Sequence, residues 1–340
     1  AQDVRAYFLT MQYFLASSEE NIEQMVRFLV NRYAAGPRRG LRGSCTAAAP
    51  IDYPDVGLYH PRVPGRVARE LDQLPAVSGP SGGRIGLLLM RSYVLSGDAG
   101  HYDGVIDALE ARGCEVVPAF AGGLDSRAAV ERFFVEDGRP VVDAVVSLTG
   151  FSLVGGPAYN DSDAAGQTLK RLDVPYLAAH ALEFQSLEQW QASERGLNPV
   201  EATMMVALPE LDGATGPLVF GGRGGPSSEA ASRRMESHPE RAAMLAERVI
   251  RLVRLRHKAR SERRIGIVLF SFPPQAGAVG TAAYLSVFES LHRTLRTLAE
   301  AGYDVEVPAD VASLRQRLLG EDADAPGGEG AHARIHHRIP

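Results

Sequence analysis

Residues 84–113 hold the pattern that most restricts the fold of this 340-residue chain. The run Ile85–Met90 is continuously apolar, which is typical of a parallel strand covered on both faces. A glycine-rich turn follows, and then a helical pattern that ends at Gly113. This order of strand, turn and helix predicts one unit of a doubly wound α/β sheet, in which ligands bind at the carboxyl ends of the strands.

The alternation of strands and helices continues after this unit. The further predicted elements are strands Glu115–Phe120, Val141–Leu148 and Val174–Ala178, and helices near 105–112, near 126–135 and from Asp161. Because each strand is followed by a helix, the series predicts α/β architecture with Rossmann-like parallel sheets.

The alternation is interrupted between Glu183 and Gly225, where glycines are frequent. We interpret this stretch as an excursion from the sheet with one possible strand, Thr203–Leu208. A single long helix is then predicted over Ser237–Arg264. Its many arginines indicate a solvated face rather than a nucleic-acid surface, because the whole chain carries a net charge of −5.

The sequence pattern of the first unit recurs later in the chain. The hexapeptide at 264–269 (RIGIVL) repeats the one at 84–89 (RIGLLL), 180 positions earlier. It is followed by a predicted helix Thr281–Glu300, a strand Gly302–Pro308 and a helix near Ala312–Leu319. The sequence therefore predicts one complete Rossmann-like unit and one truncated repeat of it.

The N-terminal part precedes both units. Ala6–Leu15 is apolar and aromatic, and its periodicity leaves a buried strand and a core helix equally open. Ser17 and Glu20 form a capping-box pattern, so a helix is predicted from there to Gly36.

Residue 1 is not Met, and we expect the chain to be a piece of a longer protein. The predicted domains are 1–75, an N-terminal α/β portion; 76–260, the Rossmann-like domain with its glycine-rich excursion; and 261–340, the truncated second unit with an irregular tail.

Several classes of protein are disfavoured by composition and by missing motifs. Cys45 and Cys114 are too few for a disulfide framework, which favours a reduced, cytoplasmic setting. No apolar run approaches the length of a membrane span, about 20 residues. The chain has neither the Gly-x-x-x-x-Gly-Lys-Ser/Thr phosphate loop nor the Gly-x-Gly-x-x-Gly dinucleotide motif.

Polar side chains follow three of the predicted strands, where ligands of such sheets bind. The candidates for substrate binding or partner contact are His101, Tyr102 and Asp103; Thr149, Phe151 and Ser152; and Ser271 and Thr281. A neutral histidine beside an aspartate suits metal ligation or proton transfer, although a packed histidine beside a capping aspartate has the same sequence. The sequence assigns no catalytic residue and leaves the metal ligands unknown.

Four long segments carry a family resemblance: Gly86–Glu110, Val145–Asp161, Leu211–Gly222 and Gly280–Ser290. They resemble the large subunits of the magnesium chelatase family and, less closely, those of the related cobaltochelatases. Residues of the N-terminal portion fit as well, so the resemblance covers about residues 3–320. Long strings spread along the chain make it specific.

The resemblance implies a function. Large subunits of this family bind protoporphyrin IX and Mg²⁺, the metal substrate, while two ATPase-type partner subunits hydrolyse ATP; the product leads to chlorophyll or bacteriochlorophyll. The family's later Gly-Thr-His-Gly-x-x-Glu-type segment has no match here, so this fragment alone is expected to be inactive. No nucleic-acid partner and no integral membrane segment are expected. Two alternatives stay open: a cobaltochelatase large subunit of cobalamin synthesis, and a non-catalytic two-lobed ligand-binding module.

Overall fold

A computed structural model describes residues 2–77, 82–156, 158–224, 234–269, 281–282 and 285–319. The chain forms two compact units, 1–254 and 255–340. None of the helices in the described ranges is long and apolar enough to cross a membrane.

The first unit alternates strands and helices along the chain. Its strands are β1 Val56–Tyr59, β2 Val67–Ala68, β3 Arg84–Met90, β4 Glu115–Ala121, β5 Val135–Glu136, β6 Arg139–Pro140, β7 Ala144–Ser147, β8 Gly155–Gly156, β9 Tyr159–Asn160, β10 Tyr176–Ser186, β11 Thr215–Arg223 and β12 Met235–Ser237. Its α-helices are α1 Gln2–Ala16, α2 Glu19–Tyr33, α3 Arg91–Leu95, α4 Gly100–Glu110, α5 Arg127–Phe133, α6 Ser162–Leu172, α7 Leu187–Ala192, α8 Pro199–Glu201, α9 Leu208–Leu211 and α10 Pro239–His257. Short 3₁₀ turns occur at Gly36–Leu41 and Leu71–Gln73, and a π-helical segment at Ala202–Ala207. A further 3₁₀ turn, Arg260–Glu262, belongs to the second unit.

One eight-stranded sheet organises this unit, with the strand order β12-β11-β10-β7-β3-β4-β1-β2. The five central strands, β11 to β4, are parallel to one another. Strands β12 and β1 add to the two sides in the antiparallel sense, and β2 pairs with β1. The remaining short strands form two hairpins, β5-β6 and β8-β9. The predicted Rossmann-like parallel sheet is confirmed.

Helices cover both faces of the sheet. The buried sides of α4 and α10 pack on one face, against Ile85, Leu87 and Leu89 of β3. The buried sides of α5 and α6 pack on the other face, against Leu88 of β3 and Val145 of β7. Alternate residues of β3 thus enter different cores, which explains the continuous apolar run in the sequence.

Two glycines permit close approaches in these layers. A Cβ on Gly86 would lie 2.7 to 2.9 Å from the ring of Phe134. A Cβ on Gly104 in α4 would lie 2.0 Å from the hydroxyl oxygen and 2.4 Å from the Cβ of Ser237 in β12. These glycines in the opening motif therefore serve backbone packing, one of the roles that glycine has in such units.

Several predicted elements of the first unit differ from the structure. Ala6–Leu15 is part of α1, and Ser18, rather than Ser17, caps α2 by accepting the Asn21 N–H. The predicted strand Thr203–Leu208 is wrong, because this apolar run continues a helix begun at the Asn198 cap with Pro at the first helical position. Short apolar runs fit either element, so the capping residues decide.

The bounds of two further elements also differ. Strand β10 extends to Ser186, eight residues beyond the predicted end at Ala178. Helix α10 ends at His257, so the predicted helix Ser237–Arg264 is too long at its carboxyl end.

The second unit contains helices α11, Val287–Glu300, and α12, Val311–Leu319, and a short pair β13, Thr281–Ala282, with β14, Leu285–Ser286. The two helices were predicted, although α11 begins later than expected. The predicted strands at 264–269 and 302–308 are wrong, because these described segments form neither a strand nor a helix. Leu269 and Val307 instead pack on Leu291, Leu295 and Leu314. A pair of strands without further neighbours is only marginally stable, so these two segments pack against helices instead of pairing with each other.

Candidate functional site

The connections of the parallel strands define a topological switch point. The helix after β3, α4, lies on one face of the sheet, and the helix after β7, α6, lies on the other. Because β3 and β7 are neighbours, the chain turns in opposite directions from their carboxyl ends. Such a switch point is where open α/β sheets bind ligands.

A group of polar side chains lies at this edge on the α4 face. Tyr93 of α3 donates a hydrogen bond of 2.5 Å from Oη to Oε1 of Glu183 in β10. Arg223, at the end of β11, places Nη1 4.0 Å from Oδ2 of Asp98, whose Oδ1 accepts the N–H of Met235 at 2.7 Å. The carboxyl-edge cluster, as we name it, consists of Tyr93, Asp98, Glu183 and Arg223.

Burial sets the protonation of the phenol in this cluster. Desolvation raises the pKa of Tyr93 well above its ordinary value, and the hydrogen bond to Glu183 raises it further. The phenol therefore stays protonated and acts as a donor. A carboxylate that accepts from a phenol can orient a cationic or hydrogen-bond-donating group, or hold a partner side chain.

His101 and Tyr102 lie beneath the cluster, inside the core. The ring of His101 stacks on Phe220 and meets Tyr93 edge-on at 5.0 Å. Its Nδ1 has no hydrogen-bond partner among the residues that the structure describes. Burial, with a smaller effect of Arg223, lowers the pKa of His101 to about 3, so the ring is neutral at physiological pH. Tyr102 is fully buried and its Oη accepts the N–H of Met90 at 3.2 Å.

Asp103 points away from these two residues. Its carboxylate forms an ion pair with Arg66 and accepts a hydrogen bond of 2.5 Å from the hydroxyl of Tyr59 in β1. The structure therefore does not bring His101, Tyr102 and Asp103 together on one open surface. Two of them fix α4 to the sheet, and the third fixes α4 to the segment that contains β1 and β2.

The second group of candidates follows β7. Thr149 Oγ1 lies 3.0 Å from Ser147 Oγ, and the N–H of half-buried Phe151 donates to Thr149 Oγ1 at 3.3 Å. The intervening Gly150 has a φ of +71°, and Met205 of the π-helical segment lies close to it. Because the turn Thr149-Gly150-Phe151 closely follows β7, its three residues lie at the switch point.

Ser152 continues this turn into the protein. Its Oγ donates to Oδ1 of Asp212 at 3.0 Å, and Oδ2 of Asp212 accepts the N–H of Leu153 at 2.7 Å. Burial raises the pKa of Asp212, and the two hydrogen bonds partly offset this effect. Ser152 thus ties the loop after β7 to the end of α9.

A buried carboxylate holds the helical segment that crosses this edge. Glu201 is fully buried and accepts three hydrogen bonds, from the N–H of Phe184 at 3.2 Å, from Gln185 at 2.6 Å and from Asn198 at 2.9 Å. All three donors are uncharged. The Glu201 latch, as we name it, joins the end of β10 to the helical segment 199–211.

His180 of β10 is a further buried polar group. It is 2% exposed, and within the described part of the chain neither ring nitrogen has a hydrogen-bond partner. Burial lowers its pKa to about 4, so it too is neutral at physiological pH. Imidazoles without partners are uncommon in protein interiors and make the fold sensitive to acid.

Sequence reasoning missed Tyr93, Glu183 and Arg223. All three lie close to the carboxyl end of a central strand, and that position was the available signal; the early end predicted for β10 concealed Glu183. Of the second-unit candidates, Ser271 lies outside the described residues, and Thr281 belongs to the short strand β13. Over the ranges that the structure describes, no three His, Cys, Asp or Glu side chains are placed to hold a metal ion.

Comparison with known proteins identifies the family. The sequence profile of CobN/Magnesium Chelatase matches residues 11–340. The chain is 53% identical to the H subunit of magnesium chelatase from Cereibacter sphaeroides, over 96% of this chain and 28% of that protein. It is 52% identical to the corresponding protein of Rhodobacter capsulatus, over 100% of this chain and 29% of that protein.

A solved structure has the same fold. The catalytic subunit of cobaltochelatase from Mycobacterium tuberculosis superimposes with a TM-score of 0.69 at 23% identity, over 92% of this chain and 25% of that one. The chain therefore spans between a quarter and three tenths of the length of these relatives. Because the family profile matches nearly the whole chain, the protein belongs to the CobN/magnesium chelatase family.

Proposed function

We propose that this chain is a portion of the porphyrin-binding subunit of an ATP-dependent magnesium chelatase, which inserts Mg²⁺ into protoporphyrin IX in chlorophyll or bacteriochlorophyll synthesis. The observation that carries the proposal is the identity of 52–53% to two magnesium-chelatase H subunits along 96–100% of the chain. Mg²⁺ and protoporphyrin IX are the substrates of the proposed reaction.

The reaction sets chemical requirements. Two pyrrole protons must leave the porphyrin, and Mg²⁺, which loses water reluctantly and prefers oxygen ligands, must be dehydrated. The family resemblance assigns ATP hydrolysis to two ATPase-type partner subunits, and the absence of a phosphate-loop motif from this chain agrees with that assignment. A cytoplasmic location suits the two free thiols, Cys45 and Cys114.

Within this function, we assign the switch point to contact with the tetrapyrrole or with a partner subunit. Thr149 and Phe151 supply a polar and an aromatic contact there, and Tyr93 with Glu183 supplies an oriented donor and carboxylate. His101, Tyr102 and Asp103 support this edge from below through α4. Ser152, through Asp212, holds the loop in place.

The test is a binding titration of the 340-residue chain. Absorbance and fluorescence are followed with protoporphyrin IX and, separately, with hydrogenobyrinate diamide, the tetrapyrrole of the cobalt enzyme. Tighter binding of protoporphyrin IX supports the proposal, and preference for the cobalt substrate favours the alternative. Binding of neither would refute the claim that this portion contains a tetrapyrrole site.

Two further measurements refine the test. In the full-length protein, Tyr93→Phe and Glu183→Gln should weaken porphyrin or partner binding, whereas Tyr159→Phe, at a residue 70% exposed on the β8-β9 hairpin, should not. The 340-residue chain mixed with the ATPase subunits, ATP and Mg²⁺ should give no metal insertion. Turnover by this mixture would show that the inserting groups lie within the chain.

A further inference from the structure

Helix α1 has two apolar faces, and the residues that the structure describes cover only one of them. Ala6 and Tyr13 are 3% and 1% exposed, and the ring of Tyr13 packs beside Phe28 of α2 at 6.3 Å. The opposite face carries a second set of apolar side chains. This outer stripe consists of Val4, Tyr7, Phe8, Met11, Phe14 and Leu15.

The outer stripe is continuous. At 100° per residue its six side chains fall within an arc of about 120°, the width of a helix face that packs against a protein. Five of them are 55–68% exposed, and three of these are aromatic. Single exposed apolar residues are ordinary, but an ordered stripe along most of the helix indicates an interaction surface.

The charge of α1 argues against a lipid surface as the occupant. Helices that lie on membranes carry many Lys and Arg residues on the polar face. In α1 the charged residues are Asp3 and Arg5, which cancel. The stripe therefore has the character of a helix that enters an apolar protein groove.

The area of the stripe argues against a second copy of this chain. Five side chains of roughly 150–200 Å² each, about three fifths exposed, offer on the order of 500 Å². A stable interface between separate proteins buries about 800 Å² on each partner. A contact within one polypeptide needs less area, because tethering gives a high effective concentration.

We propose that the outer stripe of α1 docks into an apolar groove formed by a part of the full-length protein that lies outside these 340 residues. The relatives matched along the whole chain are more than three times as long as it, so in a protein of their length most of the polypeptide is available to supply the groove. The inference rests on the family assignment and is independent of the proposed substrate.

Hydrogen–deuterium exchange tests this docking without any variant. Amides of α1 should exchange at least about tenfold more slowly in the full-length protein than in the 340-residue chain, while amides of β3 exchange alike in both. The double variant Phe8→Ser with Phe14→Ser, made in the full-length protein, should return α1 to the fast rate. The matched control Tyr159→Ser should leave α1 protected.

Three results would overturn the proposal. The first is equal exchange of α1 in the full-length protein and in the 340-residue chain. The second is protection of α1 in the 340-residue chain that grows with protein concentration, since this would identify a second copy as the occupant. The third is protection of α1 in the full-length protein that persists in the double variant while β3 exchanges normally.

Discussion

The contact between α4 and β12 permits a sharp test of the fold through Gly104→Ala. The added Cβ would lie 2.0 Å from Ser237 Oγ and 2.4 Å from Ser237 Cβ. Rotation of the serine side chain can move Oγ but cannot move Cβ, so α4 or β12 has to shift. Such overpacking costs about 1–3 kcal/mol, and a contact this short belongs at the upper end.

Helix propensity acts in the opposite direction. Alanine is favoured over glycine by about 1 kcal/mol inside a helix. Gly104→Ala should therefore lower the free energy of unfolding by about 2 kcal/mol. The matched control is Gly166→Ala in α6, where nothing lies within 4 Å of the added Cβ; this change should raise stability by up to about 1 kcal/mol.

The second-site change Ser237→Gly isolates the clash. Once the serine Cβ is gone, the nearest remaining atom that the structure shows is the Cα of residue 237, at an ordinary 3.9 Å. Urea unfolding followed by the fluorescence of Trp190, the single tryptophan, reports on the first unit. The double-mutant cycle should show a favourable coupling of about 2–3 kcal/mol. The packing argument would be refuted if Gly104→Ala were as stable as Gly166→Ala. It would also be refuted if adding Ser237→Gly recovered none of the free energy of unfolding lost in Gly104→Ala.

Three further predictions concern buried polar groups. Glu201→Ala should destabilise the first unit by about 3 kcal/mol or more, because three hydrogen-bond donors lose a charged acceptor. The control Glu247→Ala, at a side chain 55% exposed, should change the free energy of unfolding little, and urea unfolding compares the two variants. The pKa values of His101 and His180, about 3 and about 4, lie below the value near 6.5 of an unfolded histidine. Unfolding therefore takes up protons, and the free energy of unfolding should fall as pH decreases from about 6.5 towards 4. The decrease should reach up to about 1.4 kcal/mol per pH unit for each ring. In unfolding titrations between pH 7.5 and 5, His180→Leu should reduce that slope by an amount that grows from near zero at pH 7.5 to almost one proton at pH 5. An unchanged slope would contradict the assigned burial. Tyr59→Phe should cost about 1–2 kcal/mol through the lost bond to Asp103, and its thermal unfolding should match wild type if that bond contributes nothing.

The central fold followed from local pattern. The continuous apolar runs predict strands buried on both faces, and the helical spacing after each strand predicts the layers above and below. The prediction of a strand over Thr203–Leu208 was wrong because an apolar run of six residues fits a strand or a helix equally well. The Asn198 cap favours the helix. The segments at 264–269 and 302–308 share the strand pattern but lack paired neighbours, and sequence pattern alone does not supply them.

The location of the proposed site follows from the predicted topology, whereas its composition does not. Topology places ligands at the carboxyl edge, and the loops holding Thr149 and Phe151 do lie there. Tyr93 and Glu183, however, are 90 positions apart, and their contact depends on how far β10 extends. The direction in which His101 and Asp103 point depends on the rotation of α4, which the contact of Gly104 with Ser237 fixes.

The length of β10 has a consequence for solubility. Its pairing with β7 ends at Ala178, whereas the strand continues to Ser186, so the last part of β10 is a sheet edge inside the molecule on that side. Within this last part of β10, the Glu201 carboxylate accepts the Phe184 N–H. Open edges recruit strands of other chains into aggregates, and natural proteins cover them. The segment 199–211 thus shields an edge that would otherwise invite intermolecular pairing, so this cover serves solubility as well as stability.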